Sequence, residues 1–474
     1  MSSAERFLPP PPSRLFSRSR WALFHAALVI TAASWMFGGK IWWSKPILCA
    51  LVTPAIVLTL WEGWARRSRG PREARLPFLW LAPMILLGGL IIFSAFVPNL
   101  IPRRFGQETL YFVRPLSIGW PSSADGEKTL RELWLLFGCY LVGFNVFICV
   151  RSRRALRALF LFLACNALLL AVFGTLQKFT GQDIFFGLQR APHGAFFSTF
   201  IYHNHWGAFT LLMVTLCLGL FFHYLAHSRA RNLWHSPATL GLLAIFSLAI
   251  TVPLSTSRSS TLLTTAVLVF ALVHGVVRLA RLSRHRGTSS LAPLSGMLLA
   301  VGVATLVIYK LGEHTIAARL ETTRQQLAEI ESKRDIGQRR ILYTDTIHMA
   351  SEKPLFGWGL ESYERVFPRF NSTPRSRIDG LPIYYQEAHS DWLQSLAEIG
   401  AVGTTLLVLA VAWPLWVQRR RLRGHPTAFY PLLGCGVVVI YATVEFPLAN
   451  PAVVAAWWAS FFGGLRYAAL SETT

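Results

Sequence analysis

The residues able to do chemistry in this chain are histidines, arginines and scattered carboxylates, and none is arranged as a familiar cofactor or metal device. His389 stands between Glu387 and Asp391 in the run Glu-Ala-His-Ser-Asp. An imidazole, with an ordinary pKa near ~6.5, exchanges a proton close to neutral pH, and a neighbouring carboxylate can orient its ring. Here the two carboxylates are either such partners or solvated loop charges. His203-Asn204-His205 is a close histidine pair, but side chains two apart face different sides of a helix, which argues against a shared metal. The aspartates, Asp125, Asp183, Asp335, Asp345, Asp379 and Asp391, never fall within two residues of one another. The Asp-x-Asp pair that holds a metal-bound sugar nucleotide is therefore missing. There is no His-Glu-x-x-His, no phosphate loop of the Gly-x-x-x-x-Gly-Lys-Ser/Thr type and no strand-bound Gly-x-Gly-x-x-Gly. No cofactor is expected, and a metal-dependent mechanism has little support.

The elements that must position these groups are membrane helices. Of the 474 residues, 53% are hydrophobic and 15% charged, against roughly 25% charged in a soluble domain. The apolar residues fall in runs of about 20, the length a helix needs to cross the hydrocarbon. Twelve are expected, near 21–38, 45–62, 77–97, 132–150, 155–177, 204–225, 237–254, 261–280, 292–310, 401–417, 428–444 and 450–465. The class is all-α and polytopic.

The 46 basic residues outnumber the 23 acidic ones, a net charge of +23 that first suggests a polyanionic partner. They cluster at every second connection: Arg66 to Arg75, Arg151 to Arg157, Arg278 to Arg286, Arg419 to Arg423. Those connections, the one with Arg229 and Arg231, and the two terminal segments with Arg6, Arg14, Arg18, Arg20 and Arg466 hold 24 of the basic residues and four of the acidic ones. By the positive-inside rule this side, with both termini, is cytoplasmic. Short basic blocks separated by spans do not form a nucleic-acid surface, so no nucleic-acid partner is expected. The first apolar run is too long for a cleavable signal peptide, and all six cysteines lie in or beside spans, which leaves no disulfide framework.

The long connections fall on the other side. The expected organisation is a disordered tail over 1–20, spans one to nine over 21–310, an outward helical subdomain over 311–400 carrying His389, spans ten to twelve over 401–467, and a tail over 468–474. Within the subdomain, helices are expected over 313–333 and 336–351, the second stopping before Pro354. A turn at Gly357-Trp358-Gly359, a short helix from Glu361 and a helix from Ser390 should follow.

Four stretches together resemble the O-antigen ligase and polymerase family: FFGLQRAPHGAFFSTFIYHNHWGAFT at 185–210, PLSTSRSSTLL at 253–263, MASEKPLFGWGLESYERVFPRF at 349–370 and EAHSDWLQSLAEIGAVG at 387–403. His203 departs from the pattern, which usually has a small residue before Asn. The resemblance implies an inner-membrane glycosyltransferase, similar in fold to other multi-span, lipid-carrier-dependent glycosyltransferases. It implies an undecaprenyl-pyrophosphate-linked glycan as donor, transferred with inversion and without a metal at the periplasmic face. The acceptor is lipid A-core in the ligases, a growing glycan in the polymerases and protein in other relatives. A lipid or polysaccharide transporter is the alternative from another class.

On that reading His389 is the general base for the acceptor hydroxyl. Arg258, on a very short outward connection, neutralises the leaving pyrophosphate, and arginine suits this because it stays protonated and grips phosphate with two prongs. Arg190 is the second candidate, and Arg339 and Arg340 approach the same site. His203, Asn204, Glu387 and Asp391 complete the substrate-binding set with Glu445, which either pairs with Arg258 or holds acceptor hydroxyls. Trp120, Trp358, Tyr363, Tyr384 and Tyr385 stack on sugar rings or form an interfacial belt, where they meet membrane lipids.

Overall fold

The structure is a computed structural model that describes residues 17–69, 72–106, 108–114, 120–185, 189–190, 196–227, 236–286, 335–373, 383–422 and 424–470. Its helices are α1 (Arg18–Trp35), α2 (Ser44–Val52), α3 (Pro54–Arg69), α4 (Ala82–Ala95), α5 (Gly126–Cys149), α6 (Arg153–Thr180) and α7 (His203–His227). They continue with α8 (Pro237–Leu254), α9 (Arg258–Arg286), α10 (Asp335–Glu352), α11 (Tyr363–Val366), α12 (Asp391–Gln418), α13 (Pro426–Tyr441) and α14 (Pro451–Ala469). Every expected apolar run is helical except 292–310, which lies outside the described residues, as does the helix expected over 313–333. The run at 45–62 is divided: α2 gives way to α3 at Pro54, whose ring lacks an amide hydrogen. Among the described residues eight candidate spans are long and apolar enough to cross a membrane. The chain is thus an all-α, multi-pass membrane protein.

Local chemistry sets the helix starts. Asp125, Ser152, Ser236, Ser390 and Asn450 each accept a hydrogen bond from a first-turn amide, of α5, α6, α8, α12 and α14 in turn. The centre of the bundle is α5, α7 and α14. Almost every residue of α14 is buried, and its Trp458 and Phe462 rings pack edge-on against Tyr140 of α5. The two backbones approach closely at Gly143, where a side chain would meet the Trp458 carbonyl. The buried amide of Asn145 is paired: it donates to the Ala55 carbonyl at 2.8 Å and accepts from Thr59 at 2.9 Å. By contrast only 33% of α8 and 28% of α9 up to Arg278 is buried, as in helices that face lipid.

A second, smaller core sits on one end of the bundle. Leu342 and Met349 of α10 pack there with Trp358, Tyr363, Val366 and Phe367. The connection before α5 adds an antiparallel hairpin, β1 (Leu100–Phe105) with β2 (Glu108–Val113). The segment after α10 docks on a break in α12. Gly400 has φ +65°, so the helix ladder is interrupted. The freed amides of Ala401 and Val402 then donate to the carbonyls of Pro354 and Leu355, at 2.8 and 3.1 Å. In return Trp358 and Gly359 donate to the carbonyls of Ala397 and Glu398. The Gly-Trp-Gly turn is therefore a backbone clasp.

A methyl group at Gly400 would lie 2.3 Å from the Leu355 carbonyl oxygen, in a left-handed conformation that side chains resist. Gly400→Ala should cost about 2 kcal/mol or more, lowering the unfolding midpoint of the purified protein. Gly89→Ala, where nothing lies within 4 Å, should leave that midpoint in place.

Candidate active site at one end of the bundle

His389 occupies a strained position. Its φ is +52°, a region that costs a β-carbon-bearing residue free energy and persists only where the surroundings over-determine it. They do so here. The Tyr343 hydroxyl on α10 donates to the His389 carbonyl at 2.9 Å. Ser390 caps α12, the Asp391 amide donates to the Glu445 carbonyl at 3.2 Å, and the Asp391 carboxylate accepts from the Leu448 amide at 2.8 Å. The start of α12 is thereby stitched to the turn that joins α13 to α14.

That stitching brings His389 to Glu445. Nδ1 lies 3.8 Å from Oε2, an ion-pair separation rather than a hydrogen bond. Glu445 is buried, while the imidazole is 28% exposed. Nδ1 itself is buried, so the exposed edge lies on the rest of the ring. The other oxygen, Oε1, accepts from Arg339 Nη2 at 2.9 Å, and the Tyr202 hydroxyl donates to Oε2 at 3.3 Å. Burial alone would raise the Glu445 pKa; His389 and Arg339 more than offset it, and the carboxyl is held below the ordinary glutamate range. The same carboxylate raises the Arg339 pKa against the opposing effect of burial. The Phe446 ring stacks on Tyr202 and meets His389 edge-on.

From Tyr202 the network continues to the Arg258 turn. Asn204 donates to the Tyr202 hydroxyl at 2.8 Å and accepts from Ser257 at 2.5 Å. His203 Nδ1 lies 3.0 Å from both the Ser255 carbonyl and the Thr256 hydroxyl. Since a carbonyl only accepts, that nitrogen carries the proton. Arg258 opens α9 immediately after Ser257, with an exposed side chain. His203, Asn204, Arg258, Arg339, His389 and Glu445 thus belong to one connected end of the bundle.

Other candidates stand elsewhere. Arg190, 75% exposed, pairs with Asp183 at 3.0 Å beside the short hairpin of β3 (Ile184–Phe185) and β4 (Gln189–Arg190). Arg340 is exposed. Glu387 and Asp391, expected beside the His389 ring, face away from it: Asp391 caps Leu448, and Glu387 accepts from Lys40 at 2.7 Å and Gln394 at 2.8 Å. Glu387 lines a polar cavity of about 160 Å³ with Lys40, Lys45, Lys128 and Glu361. Burial opposes the Lys40 charge, but Glu387 and Glu361 outweigh it and raise its pKa. Glu445 pairs with Arg339, not with Arg258. Trp358 and Tyr363 are core residues, their polar atoms bonded to the Met349 carbonyl and the Thr346 hydroxyl. They are not exposed to stack on sugars.

Tyr202 and Tyr343 were not singled out from the sequence. Both had a signal: Tyr202 precedes His203, and Tyr343 follows Arg339 by one helical turn, on the same face.

Residues 242–408 match the family model described as O-antigen ligase. This stretch is an O-antigen ligase family domain. It contains Arg258, Arg339, the clasp at Gly400 and His389, and it ends before Glu445. No curated protein matches the chain. The ligase-family domain, on a multi-pass membrane protein, gives the chain a membrane glycosyltransferase-like role in O-antigen assembly.

Because the Glu445 pKa is lowered in the folded state, its pairing adds stability that is complete above the ordinary glutamate range and lost as pH falls through the depressed value. Glu445→Gln should therefore lower the unfolding midpoint at neutral pH. The effect should be about 1–2 kcal/mol, since Arg339 is nearly half exposed and screened by solvent. The variant should also lose less stability than the parent between neutral and acid pH. Thermal unfolding across that range reads both effects.

Proposed function

We propose that the chain transfers a glycan from an undecaprenyl-pyrophosphate carrier to an acceptor hydroxyl, with lipid A-core as the acceptor, as an O-antigen ligase does. The observation that carries this reading is the exposed edge of His389 backed at Nδ1 by the buried Glu445 carboxylate. A sugar hydroxyl is a poor nucleophile near neutral pH, and an imidazole facing it can accept its proton as attack begins. The carboxylate behind the ring stabilises the imidazolium that forms.

The reaction balances without a further reactant. The acceptor oxygen forms a bond to the anomeric carbon as the bond from that carbon to the phosphate oxygen breaks. The electron pair leaves with the pyrophosphate, and the proton passes to His389 and then to solvent. Displacement from the opposite face inverts the anomeric centre. Charge gathers on the leaving phosphate, where arginine is the suitable counter-charge. Arg258 is our first assignment for this, and Arg339 has a second role in fixing Glu445. Asn204 and His203 hold the Arg258 turn, and the polar cavity beside Glu387 suits sugar hydroxyls. Arg190 and Arg340, further out, serve as outer contacts for the donor. The positive-inside distribution of arginines supports a periplasmic site in the bacterial inner membrane.

Transfer by purified protein reconstituted with undecaprenyl-pyrophosphate glycan and lipid A-core tests this. His389→Ala should lower the rate about 10²–10⁴-fold and Arg258→Ala about 10²-fold or more, with unfolding midpoints near the parent's. Undiminished transfer by both variants would sink the mechanism. The surface glycan of a deletion strain identifies the acceptor: unmodified lipid core for a ligase, single unpolymerised units for a polymerase, unglycosylated protein for a protein transferase.

A further inference from the structure

The polar cavity beside Glu387 is assembled from both parts of the structure. Lys40 follows α1, Lys45 and Lys128 lie in the first turns of α2 and α5, Glu361 and Glu364 flank the start of α11, and Glu398 belongs to α12. Its volume of about 160 Å³ leaves room for a single sugar ring. Glu387 stands in its wall two residues before His389, a separation of at most ~7 Å along the backbone. The cavity therefore lies beside the candidate base.

One lining residue is strained. Glu361 has φ +60°, a conformation that side chains resist, and strain of this kind collects at ligand clamps. The Glu398 carboxylate holds it in place by accepting from the amides of Glu361 and Tyr363, at 2.9 and 3.1 Å. The Glu361 carboxylate is thereby set between two ammonium groups, 3.2 Å from Lys45 and 3.9 Å from Lys128. Lys40 pairs with Glu387 and Lys128 with Glu364, each at 2.7 Å.

These pairs decide which ligand fits. A carboxylate or phosphate would have to take a lysine from its partner, and an ammonium would have to take a glutamate, each at the cost of a part-buried ion pair. A hydroxyl both donates and accepts. It can join a pair without separating it, because an ammonium has three donors and a carboxylate about four acceptor sites. The rim adds an aromatic face: the Tyr384 hydroxyl donates to Glu364, and the residue is 61% exposed. A tyrosine so placed offers an apolar ring for stacking while its polar tip stays anchored. We propose that this cavity and Tyr384 form a subsite for one uncharged sugar residue of the glycan, next to the sugar that reacts at His389. Donor and acceptor glycans both present such a residue. The inference rests on the glycan-transfer reading, and its test keeps the two apart.

Binding is measured without turnover. Oligosaccharides freed by mild acid from the source strain's lipid-linked glycan and from its lipid A-core are titrated into the purified full chain by calorimetry. At least one should bind the parent. Tyr384→Ala and Glu364→Gln should each raise its Kd about tenfold, while Arg421→Gln, beyond the far end of α12, should not. The oligosaccharide whose affinity falls identifies the source as donor or acceptor. Cooperative unfolding near the parent's midpoint qualifies each variant, and Tyr384→Ala, at an exposed residue, serves alone if Glu364→Gln fails. In the transfer assay the same variants should raise KM for that substrate about tenfold and leave kcat within about twofold, as loss of uniform binding does. Binding that depends on Tyr384 in a protein that transfers nothing would sink the transfer reading and keep the subsite. No binding by the parent, or equal Kd values in parent and variants, overturns the subsite. So does a fall in kcat with KM unchanged. The ratio of variant to parent Kd should hold between low and high salt, and a ratio that collapses at high salt marks a charged ligand and overturns the uncharged specificity.

Discussion

The candidate site depends on one buried carboxylate. Glu445 lies in the turn between α13 and α14, and three partners from three other segments converge on it: Arg339 from α10, Tyr202 from the approach to α7, and His389 from the approach to α12. A buried carboxylate without partners would be protonated or would destabilise the fold. Its partners keep it charged, and the charge in turn keeps them in register. Assembly and the proposed chemistry therefore share a single requirement, a negative charge at this position.

The strain at His389 belongs to the same arrangement. A residue with positive φ relaxes unless its flanks are pinned, and both flanks are: Tyr343 holds the carbonyl, while Ser390 and Asp391 bind it into α12 and the 445–448 turn. The clasp at Gly400 carries this rigidity into the membrane. By breaking its own ladder, α12 offers amides and carbonyls to the segment after α10, so the smaller core and the bundle are joined by backbone hydrogen bonds. The Glu398 carboxylate adds to the joint by accepting from the amides of Glu361 and Tyr363.

Much of this architecture is legible in the sequence because apolar run length is a strong and nearly context-free signal. The helix stop before Pro354 and the start at Ser390 follow from backbone chemistry alone. Pairings across the chain are less legible. Glu445 and His389 are separated by the whole of α12 and α13, and nothing local links them. Glu387 and Asp391 are close to His389 in sequence, yet the left-handed turn sends their side chains to Lys40 and to the Leu448 amide. Proximity along the chain was a poor guide there because one unusual φ redirects the chain. Trp358 misled for the opposite reason: an aromatic between glycines looks exposed, but the clasp folds it inward.

The helices α7 and α9 open on His203 and Arg258 of the candidate site and are packed along their length against the bundle, and this bears on how the chain can change over time. An α-helix turns about 100° per residue. A single residue gained or lost in the middle of one of these spans would leave it long enough for the bilayer, yet would rotate one end against the other. Their lengths are consequently held by the orientation of the candidate site relative to the packed face of each helix as well as by the thickness of the membrane. Variation should be tolerated in the composition of their lipid-facing sides and resisted in their residue count.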